Sequence, residues 1–151
     1  MLLDEVAKVN ECGDGEPATL ASFEVNQNID IPKKYIFWMK RLEYYFELDD
    51  YILVHAGLNF SNKDPLADLQ EMMWIRRWYD LIDRTWLGKK IIIHGHTPAR
   101  KSAVEDSLKI LDQLPVISID AGCFYKSEGF GNLCAFNLEN REIIFQPNLD
   151  K

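Results

Sequence analysis

Three short runs dominate what this chain can become: Tyr51-Ile52-Leu53-Val54, Ile91-Ile92-Ile93 and Pro115-Val116-Ile117-Ser118-Ile119. Each is almost uninterrupted in apolar, largely β-branched side chains, without the polar alternation of a strand that has one wet face. They read as strands covered on both sides, and a chain that covers both faces of a sheet belongs to the α/β class. None approaches the ~20 apolar residues needed to cross a bilayer, so no membrane partner is expected.

The flanking sequence fills in this frame. Leu2 to Glu11 carries Leu2, Leu3, Val6 and Val9 at helical spacing, and Cys12-Gly13-Asp14-Gly15-Glu16-Pro17 reads as the break after it. A second helix is expected from Pro32 to Arg41, with Ile36, Phe37, Met39 and Leu42 as its buried face. Tyr44 to Leu48 reads as a strand closed by Asp49-Asp50, and the first apolar run as a strand extending to His55. Leu66 to Met73 looks helical, whereas Trp74 to Trp86 is aromatic-rich but poorly periodic. Leu133 to Leu138 and Glu142 to Phe145, separated by Glu139-Asn140-Arg141, form a closing hairpin.

With 151 residues the chain is the size of one domain and can bury roughly 68–70% of its unfolded surface. Its 17 basic against 24 acidic side chains, net −7, exclude the basic face that non-specific nucleic-acid binding requires. Cys12, Cys123 and Cys134 are an odd number with no Cys-x-x-Cys pair, which fits free thiols in a reducing cytoplasm.

All three histidines follow apolar runs: His55 precedes Ala56-Gly57, and His94 and His96 flank Gly95. Ligands of α/β sheets gather at the carboxyl ends of strands, and a neighbouring glycine lets them approach. A strand-end histidine is as readily a half-buried structural side chain as a metal ligand. Of His94 and His96, one is expected to be a ligand and the other structural, because Gly95 interrupts the alternation that would put both on one face.

Val54-His55-Ala56-Gly57-Leu58, Trp74-Ile75-Arg76, His94-Gly95-His96-Thr97-Pro98, Ile119-Asp120-Ala121-Gly122-Cys123 and Leu133-Cys134-Ala135-Phe136 come in that order. The series resembles the C-terminal half of the calcineurin-like metallophosphoesterases. Within them it is most similar to the bacterial and phage-type serine/threonine protein phosphatases and the symmetrical diadenosine tetraphosphatases. The resemblance implies one half of an α/β/β/α sandwich, a mixed sheet with few helices, making residues 1–151 a single partial domain. It implies His55 and His96 as ligands of the second metal of a dinuclear site. Arg76 becomes a substrate-binding, catalytic contact to phosphate, since a planar guanidinium matches phosphate oxygens bidentately. His94 and Asp120 become site-adjacent structural residues, alanine standing at position 121 where the family usually has threonine. The implied reaction is hydrolysis of a phosphate ester or phosphoprotein by a hydroxide activated between two divalent metals, manganese, iron or zinc.

The family's first half carries Asp-x-His, Gly-Asp-x-x-Asp-Arg and Gly-Asn-His-Glu, and none occurs here; Asp14 follows a glycine, but Gly15-Glu16-Pro17 breaks the motif. The expectation is therefore a fragment that begins after the third motif, holds metal weakly or not at all alone, and is inactive without its other half. Unpaired strand edges and an uncovered apolar face further imply self-association. Two alternatives stand beside this one. The first is a catalytically dead module for oligomerisation or binding; the second is a mononuclear metal protein that uses His55 and His96.

Overall fold

The computed structural model describes residues 16–149; the helix expected over Leu2 to Glu11 lies outside them. The chain forms two compact units that divide between Glu43 and Tyr44. The first holds α1 (Glu16–Ser22), a 3-10 turn at Asn28–Asp30 and α2 (Lys33–Met39). Pro17, read above as part of a break, instead stands in the first turn of α1, where its missing N–H has no intrahelical partner to lose. Phe23 packs on Tyr35 with ring centroids 4.9 Å apart. Phe37, Met39 and Leu42 are exposed and Ile36 is half-buried, so the expected buried face of α2 is not covered. Among the described residues of this unit, two seven-residue helices and a turn offer no sheet to lay against it.

The second unit is mixed α/β. Its four-stranded sheet has the order β1 (Tyr45–Glu47), β2 (Tyr51–Val54), β3 (Ile91–His94), β4 (Val116–Ser118). β2, β3 and β4 are parallel, with Tyr51 opposite Ile91 and Ile92 opposite Val116, while β1 pairs antiparallel with β2. Alternation sorts the apolar runs onto two faces. Ile52, Val54, Ile92 and Val116 pack with Leu58, Met72, Trp78 and Leu87 on one side. Tyr51, Ile91, Ile93 and Ile117 pack on the other, partly covered by Leu108, Leu111, Phe136 and Leu138. The Tyr51 hydroxyl donates to the Leu138 carbonyl at 3.0 Å, tying the closing hairpin of β5 (Asn132–Phe136) and β6 (Ile143–Pro147) to this face. An unanticipated helix, Lys101–Ser107, precedes Leu108 and buries Val104.

Leu66 to Met73 is not one helix. A 3-10 turn at Pro65–Ala67 is separated from α3 (Glu71–Trp74) by Asp68, Leu69 and Gln70. The Asp68 carboxylate accepts from Asn59 Nδ2 at 2.9 Å, Asn62 Nδ2 at 2.8 Å and the Glu71 amide at 3.2 Å, which offers the backbone an alternative to continuing the helix. The Asn59 hydrogen bond foremost, with the others, lowers the Asp68 pKa. The unfolded chain therefore binds the proton more readily, so this carboxylate's contribution is complete above the usual value of about 3.9 and is lost as pH falls through the depressed folded one. Asp68→Ala is expected to cost about 1 kcal/mol at pH 7, solvent screening included. The deficit should shrink progressively in urea melts as pH is lowered below about 3.9; a deficit that does not change with pH would assign it to packing.

Candidate functional site

Because β2, β3 and β4 run parallel, their carboxyl ends lie side by side. His55 follows β2 directly, His94 ends β3 with Gly95-His96 next, and Asp120 stands just past β4. Backbone bonds stitch these segments together. The Gly95 amide donates to the His55 carbonyl, the Ile119 amide to that of His94 and the Ala99 amide to that of Asp120, each at 2.8 Å.

The imidazoles of His55 and His96 meet, Nε2 of the first 3.2 Å from Nδ1 of the second, with ring centroids 4.9 Å apart and planes tilted by 57°. One nitrogen donates and the other accepts. Two nitrogens bound to one ion at about 2.0–2.1 Å stand about 2.9–3.4 Å apart for bond angles between octahedral and tetrahedral. The pair is thus spaced as two neighbouring ligands of a single ion. Burial above all lowers the pKa of both rings, with Asp120 pulling upward; Arg76 and then His55 push His96 down further. Both are held in the neutral form that carries a lone pair for a metal.

His96 reaches His55 through an unusual turn. Its φ is +64°, and the Thr97 amide donates to the Gly95 carbonyl two residues back at 2.7 Å. This is a γ-turn of the rare left-handed kind, costing a non-glycine residue on the order of 1–3 kcal/mol. The turn turns His96 away from the direction that continued alternation after His94 would dictate. Its Nε2 is shut from solvent without a hydrogen-bond partner, although the nearby Trp74 carbonyl favours a proton on the ring. The Trp74 indole meets the imidazole edge-on at 5.9 Å. His96→Gly is expected to raise stability by about 1 kcal/mol in a thermal melt, since glycine adopts this φ without strain, whereas His96→Ala should not. Equal melting temperatures for the two variants would show that the turn is unstrained.

Arg76 is exposed, and its Nη1 reaches the His96 carbonyl at 3.5 Å, a contact long enough to leave most of the guanidinium fork uncommitted. His94 is 2% exposed and fully engaged. Its Nδ1 donates to the Gly95 carbonyl at 2.8 Å and its Nε2 accepts from the Tyr79 hydroxyl at 2.5 Å, leaving no lone pair for an ion. The Asp120 carboxylate is turned into its own loop, accepting from the Gly122 amide at 3.0 Å. Beside Gly95, Asp120 lines an open cavity of about 310 Å³ together with Cys123 and Cys134, which are free thiols. Burial raises the Cys134 pKa, which makes it a poor nucleophile.

Among the described residues, no group of three or more His, Cys, Asp or Glu side chains converges as a metal site would. Among the described residues, His55 and His96 bring two imidazole nitrogens together, and no further side chains join them to make a dinuclear centre. Sequence reading named Trp74 only as the start of the Trp-Ile-Arg series and passed over Trp78 and Tyr79; the three surround His94 and His96. The available signal was an aromatic stretch without periodicity lying between two strand-end histidines. No helix among the described residues is long and apolar enough to cross a membrane. Compared with protein-family models, with curated proteins and with solved structures, the chain matches none.

Proposed function

We propose that this chain contributes the histidine and arginine share of a metal-dependent phosphoesterase site. One observation carries the reading: His55 Nε2 and His96 Nδ1 lie 3.2 Å apart, held by a strained turn whose carbonyl Arg76 touches. His55 and His96 would hold the ion through these two nitrogens. Arg76 would bind two phosphoryl oxygens with its fork and offset the charge that spreads over them. A divalent manganese, iron or zinc bound here supplies a Lewis acid for a phosphoryl oxygen and lowers the pKa of water. The remaining ligands come from a segment carrying the three motifs absent from these residues. Until that segment is supplied, by another polypeptide or by further sequence, the chain is inactive and self-associates.

The same fold without metal, kept as a binding module, is the second reading; the lack of a third ligand among the described residues favours it. Hydrolysis of an aryl phosphate with manganese separates the two. The chain alone should show no turnover, and adding a polypeptide with the missing motifs should produce turnover that His96→Ala abolishes. Turnover by the chain alone, lost in His96→Ala, would overturn the shared-site reading. No turnover in the mixture would favour the binding module.

A further inference from the structure

We propose that Tyr79 and His94 are positioning residues: together they clamp the Gly95 carbonyl that closes the γ-turn and thereby aim His96 at His55. This rests on the reading of His55 and His96 as ligands, and it concerns how their separation is set. β3 is otherwise three isoleucines, and an imidazole at 2% exposure is costly there unless its nitrogens are hydrogen-bonded. Both of its nitrogens are bonded, Nδ1 to a carbonyl of the turn and Nε2 to the Tyr79 hydroxyl.

The Gly95 carbonyl accepts twice, from His94 Nδ1–H at 2.8 Å and from the Thr97 amide at 2.7 Å. The bent two-residue bond of a γ-turn is a weak restraint by itself. A second donor on the same oxygen means that rotating the peptide plane between Gly95 and His96 breaks both bonds together. On the other side of Gly95, its amide is held by the His55 carbonyl at 2.8 Å. The peptides flanking Gly95 are thus fixed from three directions, one of them the backbone of the partner histidine.

Tyr79 selects which nitrogen of His94 carries the proton. Its hydroxyl donates to Nε2 and so leaves the N–H on Nδ1, facing the carbonyl. With the opposite tautomer, the Nδ1 lone pair would face the Gly95 oxygen and push it away. Trp78 and Tyr79 meet the His94 ring edge-on, with centroids 5.3 Å and 5.6 Å away, so it cannot turn to escape that conflict.

The test compares Tyr79→Phe, His94→Leu and His94→Asn in the 151-residue chain. The asparagine amide N–H can occupy roughly the place of Nδ1–H, whereas leucine offers no donor. Two readouts are taken: hydrogen exchange of the Thr97 amide, referenced to the Ile92 amide in the core of β3, and cobalt(II) affinity by calorimetry. Tyr79→Phe and His94→Leu should speed Thr97 exchange relative to Ile92 by about tenfold and weaken cobalt binding by about 10–100-fold, the usual loss for an outer-shell partner. His94→Asn should keep Thr97 protection within about threefold of wild type, a difference below 1 kcal/mol. Unchanged Thr97 exchange in both Tyr79→Phe and His94→Leu would overturn the proposal, as would His94→Asn behaving like His94→Leu while Ile92 stays protected. If the wild-type chain alone binds no cobalt, as its missing ligands allow, the exchange comparison by itself decides whether the clamp exists, and the ligand reading is decided by the complemented turnover assay.

Discussion

Trp78→Ala is expected to destabilise the second unit by about 3–5 kcal/mol, a large share of the 5–15 kcal/mol typical of a whole domain. Trp78 is 1% exposed and belongs to the core on one face of the sheet, with Ile52, Met72 and Leu87. It stacks on Phe60 at 6.2 Å and meets Tyr79 edge-on at 4.8 Å. Gly57 forms the other wall of its pocket, since a Cβ on Gly57 would stand only 2.1 Å from the indole Nε1. The glycine after His55-Ala56 is therefore a packing requirement of a tryptophan 21 positions away in the sequence. Gly57→Ala should overpack the pocket and cost about 1–3 kcal/mol or more. Combining it with Trp78→Ala should cost clearly less than the two changes added, because the methyl then enters a vacated space. Urea melts of the three variants check this, and strict additivity would show that the two residues do not share a pocket.

The second large effect concerns the paired imidazoles. His55→Ala or His96→Ala is expected to weaken cobalt(II) binding by at least ~100-fold, the upper end of what losing a mere supporting partner costs. Each change removes one of two lone pairs spaced for a single ion. Affinity should also fall with acid. Burial depresses both histidine pKa values, so the rings stay neutral at pH 7, and protons compete with the ion only once pH drops below the ordinary value of about 6.5. Calorimetry at pH 7.5 and pH 5 reads both effects. Retained affinity in either alanine variant would remove the metal from this site and leave the binding-module reading in its place.

Much of the frame is legible in the amino-acid sequence. The apolar runs led to β2, β3 and β4 within a residue or so at each end, because strands covered on both faces leave a pattern that other short elements do not. The closing hairpin was legible for a related reason, from turn-forming residues between two alternating segments. Helices were read less well. The break at Asp68 depends on amides contributed by Asn59 and Asn62, and the exposure of Phe37 and Met39 depends on what a small unit can offer as a partner. Neither is encoded in local periodicity.

The sequence by itself determined that three covered strands would form and that His55, His94 and Asp120 would stand at or just beyond their carboxyl ends. That follows from hydrophobic burial, which a one-dimensional pattern records faithfully. Only the tertiary structure decided what each of these residues meets there. His94 and His96 flank the same glycine in the sequence, yet one is bonded into the core between Tyr79 and the Gly95 carbonyl and the other swings to His55. The reason is a single backbone angle of +64° at His96, held by hydrogen bonds to neighbours and across the sheet. Side-chain alternation carries no information about such an angle.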